Sequence, residues 1–388
     1  MGTICYLIRP CSGGMQKHVD ELLGHFRQSY RLILVAPRGN LLVKKARQLG
    51  IDVHELPLSE NISPLRDLYT LRQLLVILRR ERPRLLHVHG FKAGVWGRLA
   101  GRIMDIPVVV TVHNYPAYPV RGFVLPRLFR TIENAHGHWA CRYITVSEAL
   151  AGYLLKNTAI DEEKIEIIHN GINTAPFEQA LQTDMPAAKT CLDFIKKEGT
   201  TLVGTVARLV PQKGIRHLIR AAAILSGRHP HLRFVIIGDG PMRGYLEDLA
   251  QRLGMQGKVF FTGQMEDVPL LMPMLDIFVL PSCSEGLSLT VLEALAASRP
   301  VVASRTGGIP EIITHDRTGK LVPPGDSQAL ARAIEELISD PDRAGEMAAR
   351  GQARVKALFS REEMFRRTGR LYRKFMDTPA LTEVSDVR

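Results

Sequence analysis

Cysteine is scarce in this 388-residue sequence, and its five copies, Cys5, Cys11, Cys141, Cys191 and Cys283, are scattered with no C-x-x-C pair. That excludes the usual zinc spacings and a disulfide framework, and a reducing cytoplasm is the expected setting. Long apolar runs are missing as well. Leu74-Leu75-Val76-Ile77-Leu78 is among the longest, far short of the roughly 18 residues that a membrane span needs. No charged region precedes the opening Thr3-Ile4-Cys5, so a signal peptide is not expected. Neither a polybasic tail nor a zinc-finger spacing occurs, so no nucleic-acid partner is expected. Acidic residues are outnumbered: 39 Asp and Glu stand against 51 Lys and Arg, a formal net charge of +12. Such an excess attracts anions, a nucleoside diphosphate or an acidic lipid among them. A solvated basic surface accounts for it equally.

What remains is an ordinary globular composition, 45% hydrophobic and 23% charged, in a chain long enough for two domains. Short apolar strands alternate with helical patterns. Thr3–Ile8, Arg31–Ala36, Leu85–His89 and Val108–His113 read as buried strands. Between them Val19, Leu22, Leu23 and Phe26 recur at helical spacing, as do Leu68, Leu71, Leu74, Leu75 and Leu78. A second series follows at Thr201–Ala207, Arg233–Gly238, Lys258–Phe261, Ile277–Pro281 and Pro300–Ala303. Alternating β and α elements imply parallel sheets covered by helices on both faces. The polar stretch Thr174–Thr190, with Pro176 and Pro186, separates the series and marks the boundary, 1–175 against 176–360. A basic helix, Arg361 to Asp377, closes the pattern.

Ligands of open α/β sheets bind beyond the carboxyl ends of the strands, so the loops that follow strands carry the chemistry. Ser12-Gly13-Gly14 follows the first strand and opens a helix. Its glycines suit close approach to an anion, or a plain tight turn. Arg208-Leu209-Val210-Pro211-Gln212-Lys213-Gly214 offers a guanidinium fork and a lysine point charge in one loop, an arrangement that would hold a diphosphate; two surface cations are the plainer account. Gly238-Asp239-Gly240-Pro241 is a strand-to-helix turn that fails the dinucleotide fingerprint, since Arg243 stands where a third glycine belongs. The fullest signal is Ser284-Glu285-Gly286-Leu287-Ser288-Leu289-Thr290-Val291-Leu292-Glu293. Gly286 loosens the loop, Ser288 or a neighbour caps a helix, and the helix N-terminus offers N–H groups and a positive dipole end to phosphate. Carboxylates on either side, Glu285 and Glu293, suit hydroxyl groups flanking that phosphate. Gly307-Gly308-Ile309-Pro310-Glu311 follows another strand, and His113 ends one, in position for either a ligand or a structural role. Ser147 and Asn170-Gly171 also follow strand-like runs and suit a cap and a turn.

Taken in order, these segments resemble the group 1 retaining glycosyltransferases, glycosyltransferase family 4. The E-x7-E signature of that family is matched by Glu285 and Glu293. The match runs over nearly the whole chain, through Gly13-Gly14, His113, Asn170-Gly171, Arg208, Lys213-Gly214, Gly238-Asp239-Gly240, Gly263, Gly307–Glu311 and Pro323-Pro324-Gly325. One departure is Ser298, where glycine often stands.

The resemblance implies the GT-B fold: two Rossmann-like, doubly wound parallel-sheet domains facing across a cleft, the first on the acceptor side, the second binding the donor, with helix 361–388 packing back on the first. It implies a retaining, metal-independent transferase without a cofactor. That enzyme would move a hexosyl-type sugar from a nucleotide-diphosphate sugar, UDP favoured over GDP, to a hydroxyl acceptor. The acceptor would be a glycan or a lipid-linked glycan, in cell-envelope polysaccharide or glycolipid synthesis. Arg208 and Lys213 would hold the diphosphate, Glu293 the ribose, and Glu285 the sugar, with backbone N–H groups of Gly286, Leu287 and Ser288. Gly14 would approach the phosphates and His113 the sugar near the reacting centre. Transferases of the other main fold use a metal-binding D-x-D; here it occurs only as Asp340-Pro341-Asp342, in a polar interhelical stretch. Two other readings share these turns, a sugar-nucleotide epimerase and a non-catalytic nucleotide-sugar or glycan-binding protein. Localisation is expected in the cytoplasm, with peripheral attachment at the inner face of the plasma membrane through two mixed apolar and basic segments, Leu68–Arg82 and Val120–Arg127.

Overall fold

The structure, a computed structural model, describes residues 2–10, 13–58, 63–115, 131–182, 192, 195, 198–265 and 267–377; the segment Val120–Arg127 lies outside them. The chain divides into two compact units, Met1–His169 with Glu362–Arg388, and Asn170–Arg361.

In the first unit, seven strands form one parallel sheet: β1 (Thr3–Ile8), β2 (Arg31–Pro37), β3 (Asp52–Leu56), β4 (Leu85–His89), β5 (Val108–Val112), β6 (Arg142–Thr145) and β7 (Ile165–Ile167). Their order is β3-β2-β1-β4-β5-β6-β7, so the winding reverses between β1 and β4. Alternation along β1 sends Ile4, Tyr6 and Ile8 into one core and Cys5 and Leu7 into another, as expected of a sheet covered on both faces. The first core also takes Met364, Phe365, Leu371 and Tyr372 from the last helix, Arg361–Met376. Tyr372 is anchored there by its hydroxyl, 2.8 Å from that of Tyr6. The second core receives Leu71, Leu74 and Leu78 of the helix Pro64–Glu81. Leu68, read as part of the same stripe, is 63% exposed: at 3.6 residues per turn it lies about 100° round the helix from the centre of the buried face.

The second unit carries six strands: β8 (Thr201–Val206), β9 (Leu232–Ile237), β10 (Val259–Gly263), β11 (Ile277–Leu280), β12 (Val301–Ser304) and β13 (Lys320–Val322). Their parallel order is β10-β9-β8-β11-β12-β13, with the reversal between β8 and β11. Within the polar stretch read as a boundary, Ala175–Gln182 is helical, held by Phe177, which is buried. The chain passes between the units at 169–170 and 361–362. Just inside the second unit the two passing segments are hydrogen-bonded: Ile172 N–H donates to the Phe359 carbonyl at 3.0 Å, and Arg361 N–H to that of Ile172 at 3.1 Å. Gly171 permits this approach, since a Cβ there would lie 2.2 Å from the Ser360 carbonyl oxygen.

Candidate active site

A doubly wound sheet opens a crevice where its strand order reverses, because the loops on either side of that point diverge. In the second unit those loops follow β8 and β11; they contain Arg208, Lys213 and Glu285, and Glu293 lies in the helix that the second loop opens.

The loop after β8 is tied to its neighbours by the backbone. Ala207 N–H donates to the Ile237 carbonyl and Leu209 N–H to that of Asp239. Gly238 and Gly240, with φ of 135° and 159°, let the loops meet, for a Cβ on Gly238 would come 2.0 Å from the Ala207 carbonyl oxygen. On the other side Cys283 N–H donates to the Gln212 carbonyl. These ties bring Lys213 Nζ to Glu285 Oε1 at 2.6 Å, and Ser282 Oγ donates to the same oxygen at 2.6 Å. Glu285 is 4% exposed, so its carboxylate is pinned by an ammonium and a hydroxyl, and Ser282 is a supporting residue that sequence reading missed. Charge-assisted bonds of this kind fix a side chain more firmly than neutral ones. Arg208, in the same loop as Lys213, is exposed.

Behind Glu285, Gly286, Leu287 and Ser288 lead into the helix Leu289–Ala296. Ser288 is its N-cap and accepts from Val291 N–H at 3.4 Å. Gly308 N–H, after β12, donates to the Gly286 carbonyl, and Asn170 Nδ2 donates to that of Leu287 at 3.4 Å. Glu293 is buried within the helix. Arg208, Lys213 and Glu285 thus lie in loops at one end of one sheet, beside the positive end of a helix dipole.

In the first unit the reversal lies between β1 and β4. Gly13, with φ of 69°, caps the helix that starts at Gly14; Ser12 lies outside the described residues. His113 follows β5 and is half-buried. It is surrounded by histidines that sequence reading did not single out. His89 Nδ1 is 3.0 Å from His113 Nε2. His18, on the helix Gly14–Phe26, packs edge-on to His113 with centroids 4.8 Å apart. His87 is held on both sides, Nδ1 by the Tyr372 hydroxyl at 2.6 Å and Nε2 by Thr111 Oγ1 at 2.7 Å. Burial, then the other histidines, keeps His89 well below its ordinary pKa, and burial, His18 and Arg9 do the same for His113. His18, His89 and His113 are the one group among the described residues with ligand atoms close enough for a shared metal, within 4.8 Å of one another. Burial favours the neutral form of His89 and His113, and the Arg9 guanidinium adds a field that opposes positive charge at His113.

Two doubly wound parallel sheets in one chain are the architecture of the GT-B fold. The same fold occurs in Anabaena HepE, solved in complex with UDP-glucose: TM-score 0.83, 23% identity, 96% of this chain and 99% of that one covered. Residues 193–354 match the family described as Glycosyl transferases group 1, and residues 12–176 match Glycosyltransferase Family 4. Among relatives, the alpha-D-kanosaminyltransferase of Streptomyces kanamyceticus is 32% identical over 70% of this chain and 72% of its own length. The UDP-Gal:alpha-D-GlcNAc-diphosphoundecaprenol alpha-1,3-galactosyltransferase of Escherichia coli is 27% identical over 73% of each. The chain belongs to the group 1 glycosyltransferases.

Proposed function

We propose that this glycosyltransferase moves a hexosyl residue from a UDP-sugar to a hydroxyl of a glycan or lipid-linked acceptor, with retention at the anomeric carbon and without a metal ion. The observation that carries the reading is the Lys213–Glu285 pair at the strand-order reversal, in the same loops as Arg208 and beside a capped helix N-terminus. Arg208, Lys213 and the N–H groups of Gly286, Leu287 and Ser288 stabilise the charge that grows on the departing diphosphate. Glu293 accepts from ribose hydroxyls and Glu285 from the transferred sugar. In the first unit, Gly13 and Gly14 serve the phosphates and His113 the sugar. Because Glu285 Oε1 already accepts from both Lys213 and Ser282, it is ill placed as a nucleophile. Front-face attack, with the leaving phosphate taking the acceptor's proton, is the course we favour, on the resemblance to the family. The uridine preference and the lipid-linked acceptor draw support from the donor and acceptor named for the Escherichia coli relative.

Arg208→Ala or Lys213→Ala should lower transfer by about a hundredfold or more, the scale of losing one stabiliser of developing charge. Wild-type turnover in both would remove the phosphate assignment. Transfer should survive EDTA; loss restored by Mn²⁺ would contradict metal independence. Incubation with nucleotide sugar alone separates a transferase from an epimerase, which would interconvert the sugar without acceptor.

A further inference from the structure

His89 lies outside every role given above, yet its geometry restricts what His113 can do. Its ring is fixed by neighbours on several sides. It stacks on Tyr6 at 5.9 Å between centroids and an interplanar angle of 9°, and on His113 at 5.3 Å. His87 adjoins it at 4.2 Å, but both nitrogens of His87 are engaged by Tyr372 and Thr111, so His87 offers it nothing. His89 therefore has one polar contact, Nδ1 to His113 Nε2 at 3.0 Å, while its Nε2 is buried with no partner among the described residues.

One proton lies in the bond between the two rings, and only two arrangements of neutral imidazoles are possible. If His113 Nε2–H donates, His89 Nδ1 must be bare, and the second proton of the pair moves to His89 Nε2. That strands a buried N–H donor with no acceptor among the described residues, which costs its full desolvation. If instead His89 Nδ1–H donates, its buried Nε2 carries only a lone pair, and His113 is protonated at Nδ1. A doubly protonated ring is opposed on every side, by burial and by the charged or titratable groups that face His113: Arg9, His18, His87 and His89 itself.

We propose that His89 is a positioning residue that holds His113 in its Nδ1–H form, so that His113 offers the sugar a hydrogen-bond donor and not a base. The inference rests on the reading of His113 as a group that contacts the donor sugar. It also assigns the acid–base work of transfer elsewhere, in keeping with a leaving phosphate that takes the acceptor's proton. A fixed tautomer of this kind is set by the bond on the other ring nitrogen.

The test is ¹⁵N-histidine labelling of the full chain, with two-bond nitrogen–proton correlations to report which ring nitrogen is protonated. His113 is assigned as the ring that disappears in His113→Gln. The wild type should show His113 protonated at Nδ1 and bare at Nε2 over about pH 6 to 8. Protonation at Nε2, or averaging between the forms, overturns the inference while leaving the donor site of the second unit intact. His89→Leu should release His113 toward Nε2–H and lower kcat by about tenfold or more, with KM for the donor changed less than about twofold. His89→Asn keeps an amide N–H near the position of Nδ1 and should restore both tautomer and kcat. An unmoved tautomer in His89→Leu overturns the positioning role. A His113→Gln enzyme that transfers at the wild-type rate overturns the reading of His113 as a sugar contact, whatever its tautomer.

Discussion

Four imidazoles held neutral have a consequence for acid stability. His87 is pushed down to about 3, first by burial and then by the neighbouring His18. His217 is lowered to about 4, by burial and then by Arg216 and Arg220, and His89 and His113 lie well below the ordinary value. In the unfolded chain each returns to about 6.5. Between the folded and unfolded values the unfolded state binds more protons, so stability is fully present above about pH 6.5 and falls as the pH drops through that window. Each such histidine contributes about 1.4 kcal/mol per pH unit there. Urea unfolding between about pH 6.5 and 5, where carboxylates weigh little, should show uptake of two or more protons. His87→Gln should remove about one of them, and a flat profile would show that these rings are already charged in the fold. The cluster was partly legible. Leu85-Leu86-His87-Val88-His89 places two histidines on one face of a buried strand, and an apolar reading of that run passes over them. That His18 would join them from a helix, and Tyr372 from the far end of the chain, depends on packing that no local pattern encodes.

At the level of elements, the strands read from apolar runs lie within a residue or two of where they form, because a parallel strand buried on both faces is a continuous hydrophobic segment. The edge strand β3, Asp52-Val53-His54-Glu55-Leu56, has no such run and has half-exposed positions, so its sequence carries no strand signal. Helix ends were legible where a cap was present, as at Ser147 and Ser288. The departure noted at Ser298 has a structural expression. It follows the helix Leu289–Ala296 with φ of 51°, the left-handed conformation in which helices commonly end and which favours glycine. A left-handed residue other than glycine costs about 1–2 kcal/mol, offset in part by the greater freedom that glycine gives the unfolded chain. Ser298→Gly should therefore stabilise the second unit by up to about 1 kcal/mol, raising its Tm by about 2–4 °C. Calorimetry reads this directly. A fall in Tm would mean that the serine side chain supplies more than the backbone strain removes.

For the whole molecule the dominant long-range property is its charge, +12 over 388 residues, and the question is whether that charge has a surface to act through. No helix of the described residues is long and apolar enough to cross a membrane. The helix Pro64–Glu81 offers a different means of contact. Leu71, Leu74 and Leu78 are spent on the core, yet Leu65, Leu68, Tyr69 and Val76 are 86%, 63%, 55% and 63% exposed. At 3.6 residues per turn these four share one side of the helix with Arg72, Arg79 and Arg80, all three also exposed. A core helix with a merely solvated basic face would not carry four large apolar side chains among the arginines. Such a mixed face suits the headgroup region of an anionic bilayer, where apolar side chains enter the acyl boundary and each arginine contributes about 1 kcal/mol. We expect the protein to sediment with vesicles containing phosphatidylglycerol and not with phosphatidylcholine alone, and added salt to weaken the association. Replacing Arg72, Arg79 and Arg80 together with glutamine should lower partitioning by about a hundredfold, from about 3 kcal/mol lost. Leu68→Ser with Val76→Ser should lower it at any salt concentration while leaving Tm unchanged, both positions being exposed. Sedimentation with neither kind of vesicle, or with the anionic kind unaltered by either set of substitutions, would rule out this helix face as a membrane contact.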